Sequence, residues 1–150
     1  MADVIDPVLF GRVFETGEAV TVTAESIRTF CASIGEDNPL YTSEHNGVLT
    51  APPSYALVFR NGDNFWRNVP RIGRGFDAGK EVEFFAPIRA GDRITLATEL
   101  KESYEKTGRS GTMIFVVVRS TLANHRGETV AHIDQRYVYR AGENKGGDDS

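Results

Sequence analysis

The sequence predicts an α+β fold in which one apolar helix is wrapped by a curved antiparallel sheet. Two observations carry this reading. After Ala51-Pro52-Pro53-Ser54, the residues Tyr55, Val58, Phe59, Gly62 and Trp66 recur at i, i+3, i+4, i+7 and i+11, which is one face of a helix. Proline suits a first helical turn, whose N–H groups have no intrahelical partner. C-terminal to Gly79 the chain reads as successive strands joined by tight turns, and helices segregated from hairpin-linked strands favour α+β. A helix laid on one face of an ordinary sheet fits the same pattern. The weak point of the helix is Asn61-Gly62-Asp63-Asn64, because glycine costs ~1 kcal/mol in a helix interior.

In chain order, Gly11 and Gly17 punctuate a lead-in, and Ala19-Val20-Thr21-Val22-Thr23 suits a short strand. Thr23 is placed to cap a helix over 24–34, with Glu25 in its first turn and Ile27, Phe30, Cys31 and Ile34 on one face. Gly35 is its stop. Residues 35–50 have no apolar period and form a loop of about fifteen residues, a length that is often functional. The central helix follows, then an irregular stretch over 69–79. Val82, Phe84 and Phe85 make a strand ended by Pro87. Ile94, Leu96, Thr98 and Leu100 alternate as a half-buried strand. Met113 to Val118 is a continuous apolar run and reads as a central strand, and Ala131, Ile133, Gln135, Tyr137 and Tyr139 share one face of the last. Residues 141–150 lack apolar surface to bury and are expected to be disordered, leaving 1–140 as a single domain.

A chain of 150 residues, 40% hydrophobic and 25% charged, can bury a sizeable core. The net charge of −4 gives no reason to expect nucleic acid. There is no run of 18 apolar residues, so no membrane helix is expected. The acidic start, Met1-Ala2-Asp3-Val4-Ile5-Asp6, lacks the features of a signal peptide, so a cytoplasmic location is the expectation. A lone cysteine, Cys31, on an apolar helix face reads as a buried thiol rather than a nucleophile. Three scattered histidines and one cysteine do not make a metal site, and no cofactor is implied.

Chemistry concentrates in Gly35-Glu36-Asp37-Asn38-Pro39-Leu40-Tyr41, where two carboxylates, an amide and a phenol share a loop beside the central helix. Such acids at a helix end are also commonly just solvated. Residues 60–80 set Arg60, Arg67, Arg71, Arg74 and Lys80 against Asp63 and Asp77, a cationic stretch in an acidic chain. It could meet the phosphates of a coenzyme A group or simply face solvent.

The Gly35–Tyr41 loop and Ala51-Pro52-Pro53-Ser54, with Phe84-Phe85-Ala86-Pro87, Ala90-Gly91-Asp92, Glu105-Lys106-Thr107-Gly108-Arg109-Ser110-Gly111 and Gly127-Glu128, resemble the N-terminal type of MaoC-like dehydratase domain over roughly residues 8–140. The resemblance implies a hot-dog fold, pairing of two such folds, and hydration or dehydration of an acyl thioester such as acyl-CoA. Active members of that group carry Asp-x-Asn-Pro-(Leu/Ile)-His, whose Asp and His share the attacking water. A Gly after a second His lends its N–H to the thioester carbonyl. General acid–base work of this kind contributes ~10²–10⁴-fold and an oxyanion donor ~10²–10³-fold.

Here Glu36 stands at the Asp position and Tyr41 at the His position, with Asp37 between them. A tyrosine (ordinary pKa ~10) is a poor base at neutral pH where a histidine (~6.5) is a good one. Pro52-Pro53 occupies the His-Gly place, and a proline there has no N–H to give unless the register shifts to Ser54. Asn38 and Pro39 match the motif, and Pro52, Pro53, Ser54, Arg60 and Arg67 are the expected substrate contacts.

In the family this sequence resembles, some chains work as unlike pairs, one holding the dyad and the other shaping the acyl channel. The altered dyad implies the second role. A self-sufficient hydratase using Glu36 and Tyr41 and a non-catalytic acyl-CoA-binding module are the alternatives. A homodimer or a heteromer with another MaoC-like chain is expected, with an interface of ~2,000 Å² or more.

Overall fold

The computed structural model describes residues 5–15, 18–60, 63–69 and 74–141. Its elements are β1 (Val13–Glu15), β2 (Val20–Thr21), α1 (Ala24–Ile34), α2 (Pro39–Thr42), a 3₁₀ segment Pro53–Val58, α3 (Asp63–Asn68), β3 (Phe76–Phe84), β4 (Arg93–Gly108), β5 (Gly111–Ala123) and β6 (Thr129–Arg140), after a 3₁₀ turn Pro7–Leu9. The expected α+β class holds. The strands form one antiparallel sheet in the order β1-β4-β5-β6-β3, with β2 also on β4. The Met113–Val118 run lies in β5, the middle strand, as its apolarity on both faces predicts. Register shifts at Leu100/Glu102, Leu122/Ala123 and Asp77/Lys80 mark bulges, which bend a sheet and raise its twist.

Helix α1 matches its expected bounds. Thr23 Oγ1 accepts the Ser26 N–H at 3.0 Å while Ser26 Oγ accepts the Thr23 N–H at 3.2 Å, a reciprocal cap. Gly35 at φ +70° turns the chain out, and the Glu36 N–H reaches the Cys31 carbonyl at 2.9 Å. Ile27 and Cys31 are buried.

The continuous central helix is not formed. Residues 53–58 wind as a 3₁₀ segment, Phe59 is already extended at φ −76°, ψ 122°, and a separate short helix, α3, begins at Asp63. The periodic face from Tyr55 to Trp66 spans two elements that serve different parts of the core. Tyr55 and Ala56 enter one cluster with Ile27, Leu49, Ile94, Leu96, Leu122 and Ile133. Phe65 and Val69 enter another with Phe14, Leu100, Ile114, Val116 and Val118. Between the clusters the sheet's inner face turns polar at Thr98, Ser120 and Gln135, all buried.

Strand β3 starts at Phe76, inside the stretch expected to be irregular. Asp77, Ala78 and Gly79 form its bulge, with the Asp77 carboxylate accepting the Gly79 N–H at 2.7 Å and Gly79 at φ +107°. Tyr137 and Tyr139 pack against the second cluster, and any side chain at Gly75 would run into the Tyr139 ring. The expected disordered tail, beyond Ala141, lies outside the described residues.

Candidate functional site

A cleft of about 380 Å³ is built from three segments singled out in the sequence. Leu40 and Tyr41 come from the motif loop, Pro52 and Pro53 from the start of the 3₁₀ segment, and Phe84 and Phe85 from the end of β3. Backbone pairing brings the last two together. The Ala51 N–H reaches the Ile88 carbonyl at 2.8 Å and the Ala90 N–H the Leu49 carbonyl at 2.9 Å. Thr50 and Arg89 form an isolated bridge between the same segments.

That pairing is locked from behind by Asp92, which is 3% exposed. Its Oδ2 accepts the Arg89 N–H at 2.9 Å and its Oδ1 accepts from Arg126 Nη1 at 2.9 Å. Arg126 Nε also bonds Glu128, and Asn124 Oδ1 accepts the N–H groups of Arg126 and Glu128. The Ala90-Gly91-Asp92 and Gly127-Glu128 motifs are thus two halves of one clamp. The Arg126 guanidinium, followed by the Asn124 amide, holds the Glu128 carboxyl below its ordinary range.

The motif loop is organised by its own side chains. Asn38 is the N-cap of α2, its Oδ1 accepting the Leu40 N–H at 3.0 Å, and Pro39 takes the first helical position. Glu36 Oε1 accepts the Asn38 N–H at 3.0 Å. Burial, then the charge of Glu36, raises the Cys31 thiol pKa, so this buried cysteine stays a neutral thiol. His45 Nε2 lies 3.2 Å from the Pro39 carbonyl and braces the far side of α2.

Of the expected site residues, the structure gathers Tyr41, Pro52 and Pro53 at the cleft. Glu36, Asp37, Asn38 and Ser54 are not in its lining, and Tyr41 is the one titratable side chain among the described residues that line it. Arg60 lines a second cleft of about 360 Å³ with Lys80, Gln135, Ser120 and Tyr137, which meets the 3₁₀ segment at Leu57 rather than at Pro53. Arg67, exposed on α3, is outside that lining, and Arg71 lies outside the described residues. The sequence reading missed Phe84, Phe85 and Leu40 as cleft residues. Their signal was available: they are large apolar residues inside matching motifs, and all three remain exposed in the folded chain.

The family described as FAS1-like, dehydratase domain region, matches residues 8–133. The chain belongs to this family. It shares its fold with solved MaoC-like dehydratases, and the expected hot-dog class is correct. A UPF0336 protein of Streptomyces avermitilis is 25% identical over 151 residues, covering 93% of this chain and 97% of the relative. The C-terminally truncated HadBC complex of Mycobacterium tuberculosis, a 3R-hydroxyacyl-ACP dehydratase, has a chain that matches with a TM-score of 0.71 and 21% identity, covering 87% of this chain and 97% of that one. The ChsH1–ChsH2 complex of Mycobacterium tuberculosis matches at 0.66 and 18%, covering 93% and 90%. Among the described residues no helix is long and apolar enough to cross a membrane, and no three potential ligands gather to hold a metal.

Proposed function

We propose that this FAS1-like dehydratase-region chain is the substrate-channel partner of an unlike, catalytic MaoC-like chain. The pair is an (R)-type hydratase that hydrates enoyl thioesters to 3-hydroxyacyl thioesters or runs the reverse dehydration. The carrying observation is a cleft that is apolar, assembled from the family's motif segments, and without an acid–base dyad in its lining. Apolar clefts of this size with few polar groups suit an acyl chain. Glu36, at the Asp position, has its carboxylate engaged with the Asn38 N–H, and Pro53 has no N–H to offer a thioester oxygen. The two-chain composition of the HadBC and ChsH1–ChsH2 complexes supports an unlike pair.

In this reading Leu40, Tyr41, Pro52, Pro53, Phe84 and Phe85 receive the acyl part. Glu36, Asp37 and Asn38 shape the loop and Ser54 borders it. Lys80 and Phe84 share a face of β3 about 13 Å apart, four residues of strand. Arg60 and Lys80 are therefore within a pantetheine arm's reach of the acyl cleft and meet the phosphates of an acyl-CoA or similar carrier. The test is hydration of crotonyl-CoA, followed by loss of enoyl absorbance. The chain alone shows little turnover, and Glu36→Gln and Tyr41→Phe change it little. Turnover of many per second by the chain alone, abolished by either substitution, makes it a self-sufficient hydratase. Acyl-CoA binding without turnover beside any catalytic chain makes it a binding module.

A further inference from the structure

The open edge of the sheet carries charges that neither cleft uses. Strand β3 pairs with β6 on one side, and its other edge meets no strand among the described residues. The bulge at Asp77/Lys80 interrupts the ladder, so the regular part of the edge is Lys80–Phe84. Lys80, Val82 and Phe84 stand opposite Gln135, Ile133 and Ala131 on the inner face, while Glu81 and Glu83 stand opposite Asp134 and His132 on the outer face. Asp134 is already bound by Arg119 at 2.8 Å and Lys101 at 2.9 Å, and Glu81 is met from β6 by Arg136 at 3.1 Å. The outer row of the edge strand itself therefore presents two exposed carboxylates and no cation.

We propose that this edge selects an unlike chain over a second copy of itself. The partner is a hot-dog chain whose own edge strand presents lysine or arginine on its outer row. The inference rests on the unlike-pair reading and names the chemistry of that partner. Residues directly opposite in an antiparallel pair share a face. A two-fold axis that joins two copies edge to edge, with both apolar faces on one side, must then be centred on a residue. Centred on Glu81, it sets Glu81 against its own counterpart. Centred on Val82, it sets Glu81 against Glu83 twice, and centred on Glu83, it sets Glu83 against its counterpart. Each of these three registers, the ones that overlap most of the regular edge, confronts like charges, which destabilise a strand pair when directly opposite. A cationic edge turns each confrontation into attraction. Main-chain hydrogen bonds are on offer to either partner, so the charges decide which chain binds.

The test is sedimentation equilibrium of the wild-type chain and a Glu81→Lys/Glu83→Lys chain, separately and mixed, with circular dichroism to confirm folding. The Val82-centred register also predicts that Glu83→Lys alone gains self-association, which keeps the test alive if the double variant is poorly folded. Each parent alone is expected to stay monomeric at tens of micromolar. The mixture is expected to associate at least ~10-fold more tightly, on the order of what two cross-strand charge contacts supply, and the gain shrinks in ~0.5 M salt. A wild-type homodimer as tight as the mixture, or a mixture no tighter than its parents, overturns the proposal. Co-purification of an unlike hot-dog chain, run in parallel, separates the two failures. If such a chain binds while the charge-swapped mixture does not, the edge rule alone falls. If no such chain binds, the unlike-pair reading falls.

Discussion

Replacing Asp92 by alanine tests whether the cleft wall is held by the clamp behind it. Asp92 is almost fully buried and accepts two hydrogen bonds, one from the Arg89 N–H and one from Arg126. The Arg126 side chain is 44% exposed, so water screens that contact and it adds little. The backbone bond to a buried carboxylate dominates, and hydrogen bonds to charged groups are worth ~1.5–3 kcal/mol. Asp92→Ala is therefore expected to cost about 2–3 kcal/mol, which lowers Tm by about 4–12 °C in a domain of this size. Asp92→Asn, which keeps an acceptor for Arg89 but loses the charge, should fall between. Thermal unfolding followed by circular dichroism reads the stability. Amide exchange at Ala51 and Ala90, whose N–H groups cross between the two clamped segments, reads the local effect. A melting point within 1 °C of wild type, or unchanged protection at both amides, refutes the reasoning.

Two further outcomes follow from other parts of the core. Burial alone would raise the Asp134 pKa, but hydrogen bonds from Arg119 and Lys101 outweigh it and hold the carboxyl below its ordinary value. A lowered folded pKa means the ionised form stabilises the fold. That contribution is present at neutral pH and is lost as pH falls below ~3.9 through the lowered value. Asp134→Asn should thus lower stability at pH 7 and flatten its loss between pH 5 and pH 2, in urea titrations at each pH. Tyr55 hydrogen-bonds Ser26 at 2.9 Å and meets Phe30 and Phe59 edge-on at 5.4 and 5.9 Å. Tyr55→Phe should cost ~0.5–1.5 kcal/mol and Tyr55→Ala ~3–5 kcal/mol by the same titration, and equal costs would show the hydroxyl to be the whole effect.

Much of the fold was legible because local and tertiary demands agree. Helix α1 announces itself at both ends through Thr23 and Gly35, and the alternation at Ile94, Leu96, Thr98 and Leu100 is the alternation of burial in β4. The long helix was misread because hydrophobic period says which residues are buried, not whether they share an element. Tyr55 and Phe65 both go inward, but into different clusters across a break. The early start of β3 was hidden because a bulge of Asp77, Ala78 and Gly79 has the composition of a loop. At the site, the motif residues were visible but not their division of labour. Asn38 caps a helix and Glu36 steadies that cap, roles that leave the cleft lining to the apolar residues around them.

The central claim is that this chain supplies an acyl cleft to a reaction carried out on another chain. The most direct measurement is hydration of a medium-chain trans-2-enoyl thioester by a catalytic MaoC-like chain, with and without this one. The expected result is a rise in kcat/KM of ~10-fold or more on pairing. It should be lost with Phe85→Asp, which places a charge in the apolar cleft without touching the Asp92 clamp. A rate that is unchanged by pairing, or a Phe85→Asp chain as effective as wild type, contradicts the account.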